Sequence, residues 1–158
     1  MQCTPAALAP GMRTLIALVL FAGCSSKTLL NPHHAPWATP AKDAYSSTED
    51  NLRSVDLVVG NGAEATIGSQ ITVHYNGWLR GGTLFDSSRQ RGEPFTTSLG
   101  QRRVIPGWEE GMLGMRVGGI RQLIIPPSLA YGDVVRGSIP ANSELVFEIE
   151  LLDVRPDR

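Results

Sequence analysis

Cysteine is missing where a fold would use it. Only Cys3 and Cys24 occur in 158 residues, both near the N-terminus. Everything after residue 24 therefore lacks a disulfide, which excludes a disulfide-stapled scaffold and any cysteine zinc site there. Histidine is equally scarce: His33, His34 and His74. The first two sit in a Pro-rich stretch, where a solvated pair is a simpler reading than a metal site. No block of Lys and Arg exists and the net charge is −1, which excludes a polyanion-binding surface and a nucleic-acid partner. No internal repeat is present, which excludes a solenoid. No apolar run is long enough for a membrane-spanning helix, which needs about 20 residues.

What is present begins with "GMRTLIALVLFAGCSS" (11–26). Arg13, an apolar run from Leu15 to Ala22 and then small residues follow the order of a secretory signal. The end of the run, "LFAGC" (20–24), resembles the lipobox of bacterial lipoproteins. That resemblance implies cleavage before Cys24 and lipid on its thiol. Phe21 departs from the commonest pattern, and Met12 is a better-placed start than Met1. The competing reading is an apolar N-terminal helix packed on the domain. Residues 25–50 are rich in Ser, Thr, Pro and Ala, the composition of a flexible tether. Trp37 and Tyr45 within it are open to local docking or to exposure. The expected division is a signal peptide over 1–23, a lipidated tether over 24–50 and a folded domain over 51–158.

From residue 51 the pattern changes. Residues 51–60 alternate and end in Gly-Asn-Gly. "QITVHYNGWL" (70–79) sets Ile71, Val73 and Tyr75 on one face and Thr72, His74 and Asn76 on the other. "PFTTSL" (94–99) is a short strand, and "GIRQLIIPP" (119–127) is a strand stopped by prolines. In "SELVFEIELLDV" (143–154), Leu145, Phe147, Ile149 and Leu151 share a face, opposite Glu148 and Glu150. Five antiparallel strands with one buried face are expected, and such a sheet needs a cover.

The helical candidate is "VIPGWEEGMLGM" (104–115). Pro106 suits the first helical position, where a missing N–H costs nothing. Trp108, Met112 and Met115 recur at helical spacing, and Gly114 can end the helix. Glu109 and Glu110 are adjacent, so they point about 100° apart and do not form a catalytic pair. They are expected to be a solvated first turn, favourable to the helix dipole.

The pieces "VHYNGWLRGGTLFDSS", "PFTTSLG", "VIPGWEEGMLGM", "LAYG" and "ELVFEIELLDV" together resemble the FKBP-type peptidyl-prolyl cis–trans isomerases, colinearly from Leu52 to Val154. The resemblance implies an α+β fold: an antiparallel half-barrel of five to six strands wrapped around one short helix. It implies an apolar cup lined by Tyr75, Phe85, Phe95, Val104, Ile105, Ile139 and Phe147. Trp108 would form the floor, with Asp86 and Tyr131 beside the reacting amide and Arg91 as partner to the acid. Two departures bear on substrate and drug preference. Arg103 stands where relatives often carry an acid, and loop 132–138 is short, with Ser138 where a second apolar residue is common.

Each aromatic alone is read more simply as core. Asp86 discriminates, because an acid beside Phe85 and Tyr75 needs partners if buried. The activity implied is X–Pro isomerisation without cofactor or metal, on proline-containing polypeptides, with macrolides as further ligands. The expected setting is the cell envelope: a monomer anchored through Cys24, on the outer membrane and facing the periplasm. The alternative is a module that binds prolyl segments, or helps folding, with little turnover.

Overall fold

The computed structural model describes residues 40–156. Cys24, the signal run, His33, His34 and Trp37 lie outside the described residues. Seven strands form one antiparallel sheet: β1 (Ser46–Ser47), β2 (Arg53–Val58), β3 (Ser69–Leu79), β4 (Leu84–Ser87), β5 (Phe95–Ser98), β6 (Ile120–Ile125) and β7 (Leu145–Pro156). Their order is β1-β2-β6-β7-β3-β4, with β5 also on β3. Two short helices, α1 (Ser88–Arg91) and α2 (Pro106–Gly111), complete the α+β half-barrel. The two strands beyond the five expected are β1 and β4, too short to show a period. Among the described residues no helix is long and apolar enough to cross a membrane.

Strand β3 organises the sheet. It pairs with β7 along its whole length, and its other edge is shared by β5 below and β4 above. Where those two diverge, at Tyr75, the Ser88 hydroxyl takes the place of a strand. It accepts the Tyr75 N–H at 2.8 Å and donates to the Tyr75 carbonyl at 3.3 Å. A buried backbone left without such partners would be costly. The concave face carries Ile71, Val73, Tyr75, Leu123, Leu145, Phe147, Ile149 and Leu151, which form the main core with Trp108 and Met112.

Helix α2 closes that face by close approach. A Cβ at Gly107 would lie 2.4 Å from Ile125, and one at Gly111 2.6 Å from Leu123. The glycines therefore cost helix propensity, about 1 kcal/mol each, but let the helix lie directly on β6. The helix is shorter than its apolar spacing suggested. It ends at Gly111, and Met115 is buried beyond it, not on it. After the helix the chain pairs with an upstream loop: Ala65 N–H donates to Met115 O at 2.8 Å and Gly114 N–H to Ala65 O at 2.9 Å. Arg121 donates to the Gly111 and Leu113 carbonyls at 2.9 Å each, satisfying the helix end.

The convex face is not simply solvated, contrary to the one-faced expectation. Trp78, Val146 and Ile124 lie in one cross-strand row and are buried there. Beside them Gln122 and Glu148 are also buried, and Gln122 Nε2 donates to Glu148 at 3.2 Å. Tyr45 donates its hydroxyl to Gln122 Oε1. Organised chain thus begins before residue 51: a 3-10 turn over Lys42–Ala44 leads into β1, which pairs with β2. Of the two options for Tyr45, docking holds.

Candidate active site

The concave face opens beside α2 into a cleft of about 510 Å³, lined by Tyr75, Phe85, Asp86, Phe95, Arg103, Val104, Ile105, Trp108, Ala130, Tyr131, Arg136 and Phe147. Strand alternation aims Tyr75 and Phe147 into it from β3 and β7. Strand β4 brings Phe85 and Asp86, and β5 brings Phe95.

Trp108 is the hub. Its ring lies 5.0 Å from Tyr75, 6.0 Å from Phe95 and 5.3 Å from Phe147, each edge to face. Phe85 packs edge-on to Phe147 at 5.6 Å. Such pairs stabilise by about 0.5–1.5 kcal/mol beyond their buried area. They also hold the rings as a wall, since each edge is engaged by a neighbour's face. The Trp108 indole N–H is buried with no partner among the described residues.

The width of the cup depends on Gly77. A Cβ there would sit 2.7 Å from Phe147 and 2.8 Å from Phe85. Contacts that short do not persist, so any other residue at 77 would force one or both phenylalanines to shift.

Asp86 has the partners its position demands. Tyr75 donates its hydroxyl to one carboxylate oxygen, and Arg91 pairs with the other. Arg91 also donates to the Tyr75 oxygen at 2.9 Å. Burial, with the bond to Asp86, pushes the Tyr75 phenol above its ordinary range, and Arg91 opposes this. Helix α1 makes the cluster possible: Ser87 caps its start by accepting the Gln90 N–H, and its single turn returns Arg91 to Asp86.

The lead-in to α2 supplies donors. Ile105 is the helix N-cap, and its carbonyl accepts from Trp108 and Glu109. No described residue accepts the Ile105 N–H. The Tyr131 hydroxyl, on the far wall, likewise has no described partner. Arg136 stacks over the Tyr131 ring, 5.6 Å from its centroid.

Of the expected site residues, the cleft brings together all but Ile139. That side chain is buried in the core, 6% exposed. Its backbone pairs both ways with Arg136, a tight turn that sends Ile139 inward and leaves Arg136 at the lip. Arg136 and Ala130 were not singled out from sequence. The only available signal was the place of Ala130 within "LAYG" and of Arg136 in the loop after it.

The paired acids need one correction. Glu110 is exposed as expected, but Glu109 is half-buried and accepts the Gly100 N–H, tying the helix to the turn after β5. His74 is on the face opposite Tyr75, 3.0 Å from the Ser88 hydroxyl, and takes no part in the cup. Burial and Arg89 hold its imidazole below the usual range.

Comparison with known proteins agrees with this geometry. Residues 62–152 match the family model described as FKBP-type peptidyl-prolyl cis-trans isomerase. The chain is 52% identical over 100 residues to an FK506-binding protein of Neisseria meningitidis serogroup B, covering 63% of this chain and 92% of that one. It is 46% identical over 117 residues to the FKBP-type peptidyl-prolyl cis-trans isomerase FkpA of Aeromonas hydrophila, covering 74% of this chain and 43% of that one. The structure of FkpA from Escherichia coli superposes with a TM-score of 0.69 at 39% identity, covering 74% of this chain and 54% of that one. AtFKBP13 superposes with a TM-score of 0.66 at 41% identity, covering 70% and 98%. An aromatic cup over a tryptophan floor, built on this half-barrel and matched across more than half of the sequence, places the chain in the FKBP-type peptidyl-prolyl cis–trans isomerase family.

Proposed function

We propose that the family activity is carried out here by seating a prolyl segment in the aromatic cup and favouring its twisted amide. The observation that carries this is the Trp108-centred cluster of aromatics around an open cleft, with a single, already paired acid on its wall. Rotation about the peptide bond faces a barrier of about 18–20 kcal/mol because resonance stiffens it. Uncatalysed X–Pro exchange takes tens to hundreds of seconds. The twisted amide loses resonance, and with it the charge on its carbonyl oxygen. An apolar cup destabilises the planar, polarised amide by stripping its water, and loses little when the amide twists.

In this reading Trp108 supports the prolyl ring. Tyr75, Phe85, Phe95, Val104 and Phe147 form the apolar wall. The Ile105 N–H and the Tyr131 hydroxyl bind carbonyls of the substrate. Asp86, held by Tyr75 and Arg91, meets the turning carbonyl. Ile139 supports the loop from beneath. No bond breaks, so the step calls for no nucleophile, cofactor or metal. Macrolides of the kind named in the FK506-binding relatives would occupy the same cup.

Isomerisation of a short prolyl peptide by the full chain tests the reading. Rate enhancement, lowered about tenfold or more in Asp86→Val, is expected, since bonds to a charged group contribute roughly 1.5–3 kcal/mol. Peptide binding with no enhancement would establish the alternative, a prolyl-segment binding module.

The setting is proposed from the N-terminal sequence: export, cleavage before Cys24, lipid on its thiol, and a monomeric domain held in the periplasm by a tether from the outer membrane. Mass spectrometry of protein from its native host should find a lipid-modified N-terminus at Cys24; intact residues 1–23 would overturn this.

A further inference from the structure

The lip of the cup carries unbalanced charge, and we propose that it selects prolyl segments with an acidic side chain next to the proline. This rests on the prolyl-isomerase reading and names its substrate class. Three charged side chains line the cleft: Asp86, Arg103 and Arg136. Asp86 is offset by Arg91. Neither Arg103 nor Arg136 forms an ion pair among the described residues, and both are exposed. Asp133, the only acid in loop 132–138, does not line the cleft and has no ion pair among the described residues. Two uncompensated positive charges thus stand at one opening of a chain whose formal net charge is −1. General basicity does not account for them.

Both arginines are placed by the backbone. Arg103 directly precedes Val104, in the lead-in to α2, and lines the cleft with Val104 and Ile105. Arg136 is fixed by reciprocal backbone bonds with Ile139, at 3.0 and 2.9 Å, across a turn in which Gly137 has φ +55°. Its guanidinium rests on the Tyr131 ring, a cation–π contact that holds it at the wall. The two arginines come from separate segments and meet on a single cleft.

A proline on the floor puts its chain neighbours at the lip, since consecutive Cα atoms are about 3.8 Å apart. A carboxylate there meets guanidinium forks, whose geometry matches it in pairs of hydrogen bonds. A lysine at the same place would be repelled.

The test is a series of tetrapeptides, Ala-Xaa-Pro-Phe and Ala-Ala-Pro-Xaa, with Glu, Gln or Lys at Xaa. The isomerisation kcat/KM of the full chain is read at low and high salt. At low salt Glu should exceed Gln by about three- to tenfold, in at least one position, with Lys below Gln. High salt should bring the ratio toward one, because the screening length falls from about 10 Å at 0.1 M to about 3 Å at 1 M. The Glu-to-Gln ratio should also fall to about one in R103Q/R136Q and invert in R103E/R136E, with circular dichroism as the folding control. Equal rates for Glu and Gln at low salt, or an unchanged ratio in the double Gln variant, would overturn the proposal. Calorimetric binding of the same peptides separates the two readings. Tighter binding of Glu peptides without turnover keeps the lip and sinks the isomerase. Turnover without a charge preference does the reverse.

Discussion

The two faces of one sheet use aromatic residues in opposite ways. On the concave side Tyr75, Phe85, Phe95, Trp108 and Phe147 pack edge to face and still leave an open cleft. On the convex side Trp78, Val146 and Ile124 are packed shut, and polar contacts among Tyr45, Gln122 and Glu148 lie beside them. The concave face keeps apolar surface available for a ligand. The convex face removes it, which protects a sheet that would otherwise show an apolar patch to water. Changes on the convex face should therefore cost stability alone, and changes in the cup should cost activity as well.

The most severe break is Trp108→Ala. The floor of the cup and the hub of its walls go together, so peptide isomerisation should fall by about a hundredfold or more. A buried aromatic truncation costs roughly 3–5 kcal/mol, readable in urea unfolding. Trp108→Leu, which keeps more volume, should stay folded and still lose most activity. Glu109→Ala comes next. It removes the acceptor for the Gly100 N–H and should cost about 1–2 kcal/mol. Glu110→Ala should stay within about 0.5 kcal/mol of the wild type. A folded Glu109→Gln, Glu110→Gln double variant with abolished turnover would show that the acids do take part in the chemistry.

Tyr45→Phe acts on the other face. It deletes one hydrogen bond to a buried amide and should cost about 1 kcal/mol, with kcat/KM unchanged. A loss of activity would show that the faces are coupled. The smallest expected effect is that of His74. Its imidazole is held below the ordinary value, about 6.5, so the folded state favours the neutral ring. That stability is present above about pH 6.5 and is lost as pH falls toward the folded value. Urea midpoints between pH 7.5 and 5.5 should drop slightly more in the wild type than in His74→Asn.

Legibility from sequence followed the same divide. Strict alternation in β3 gave Tyr75 its face, and Pro106 with Trp108 marked α2. The resemblance to the family implies Arg91 as partner to Asp86, and the two are paired in the fold. Features set by distant contacts were not legible. Ser46–Ser47 is a strand only because β2 offers it an edge. Trp78, Val146 and Ile124 fall at outward positions, and nothing local says that an outward row is buried. Glu109 looks like any first-turn acid until the turn after β5 presents the Gly100 N–H. Ile139 and Arg136 exchange inner and outer positions through a turn whose geometry neither residue announces.

Gly77 has a consequence for the order in which such a sequence can change. The two phenylalanine rings meet in the space its missing side chain leaves. A change at Gly77 alone can only crowd the cup, whereas shrinking Phe85 alone opens a gap that nothing fills. Taken together, Gly77→Ala and Phe85→Leu relieve the contact with Phe85 but leave the one with Phe147, at 2.7 Å, so the pair should be milder than the sum of its members but still crowded. A lineage that loses Phe85 first meets one collision at 77, with Phe147; one that starts at 77 must survive two. The cup's width is in this sense historical, easier to revise by one route than by the other.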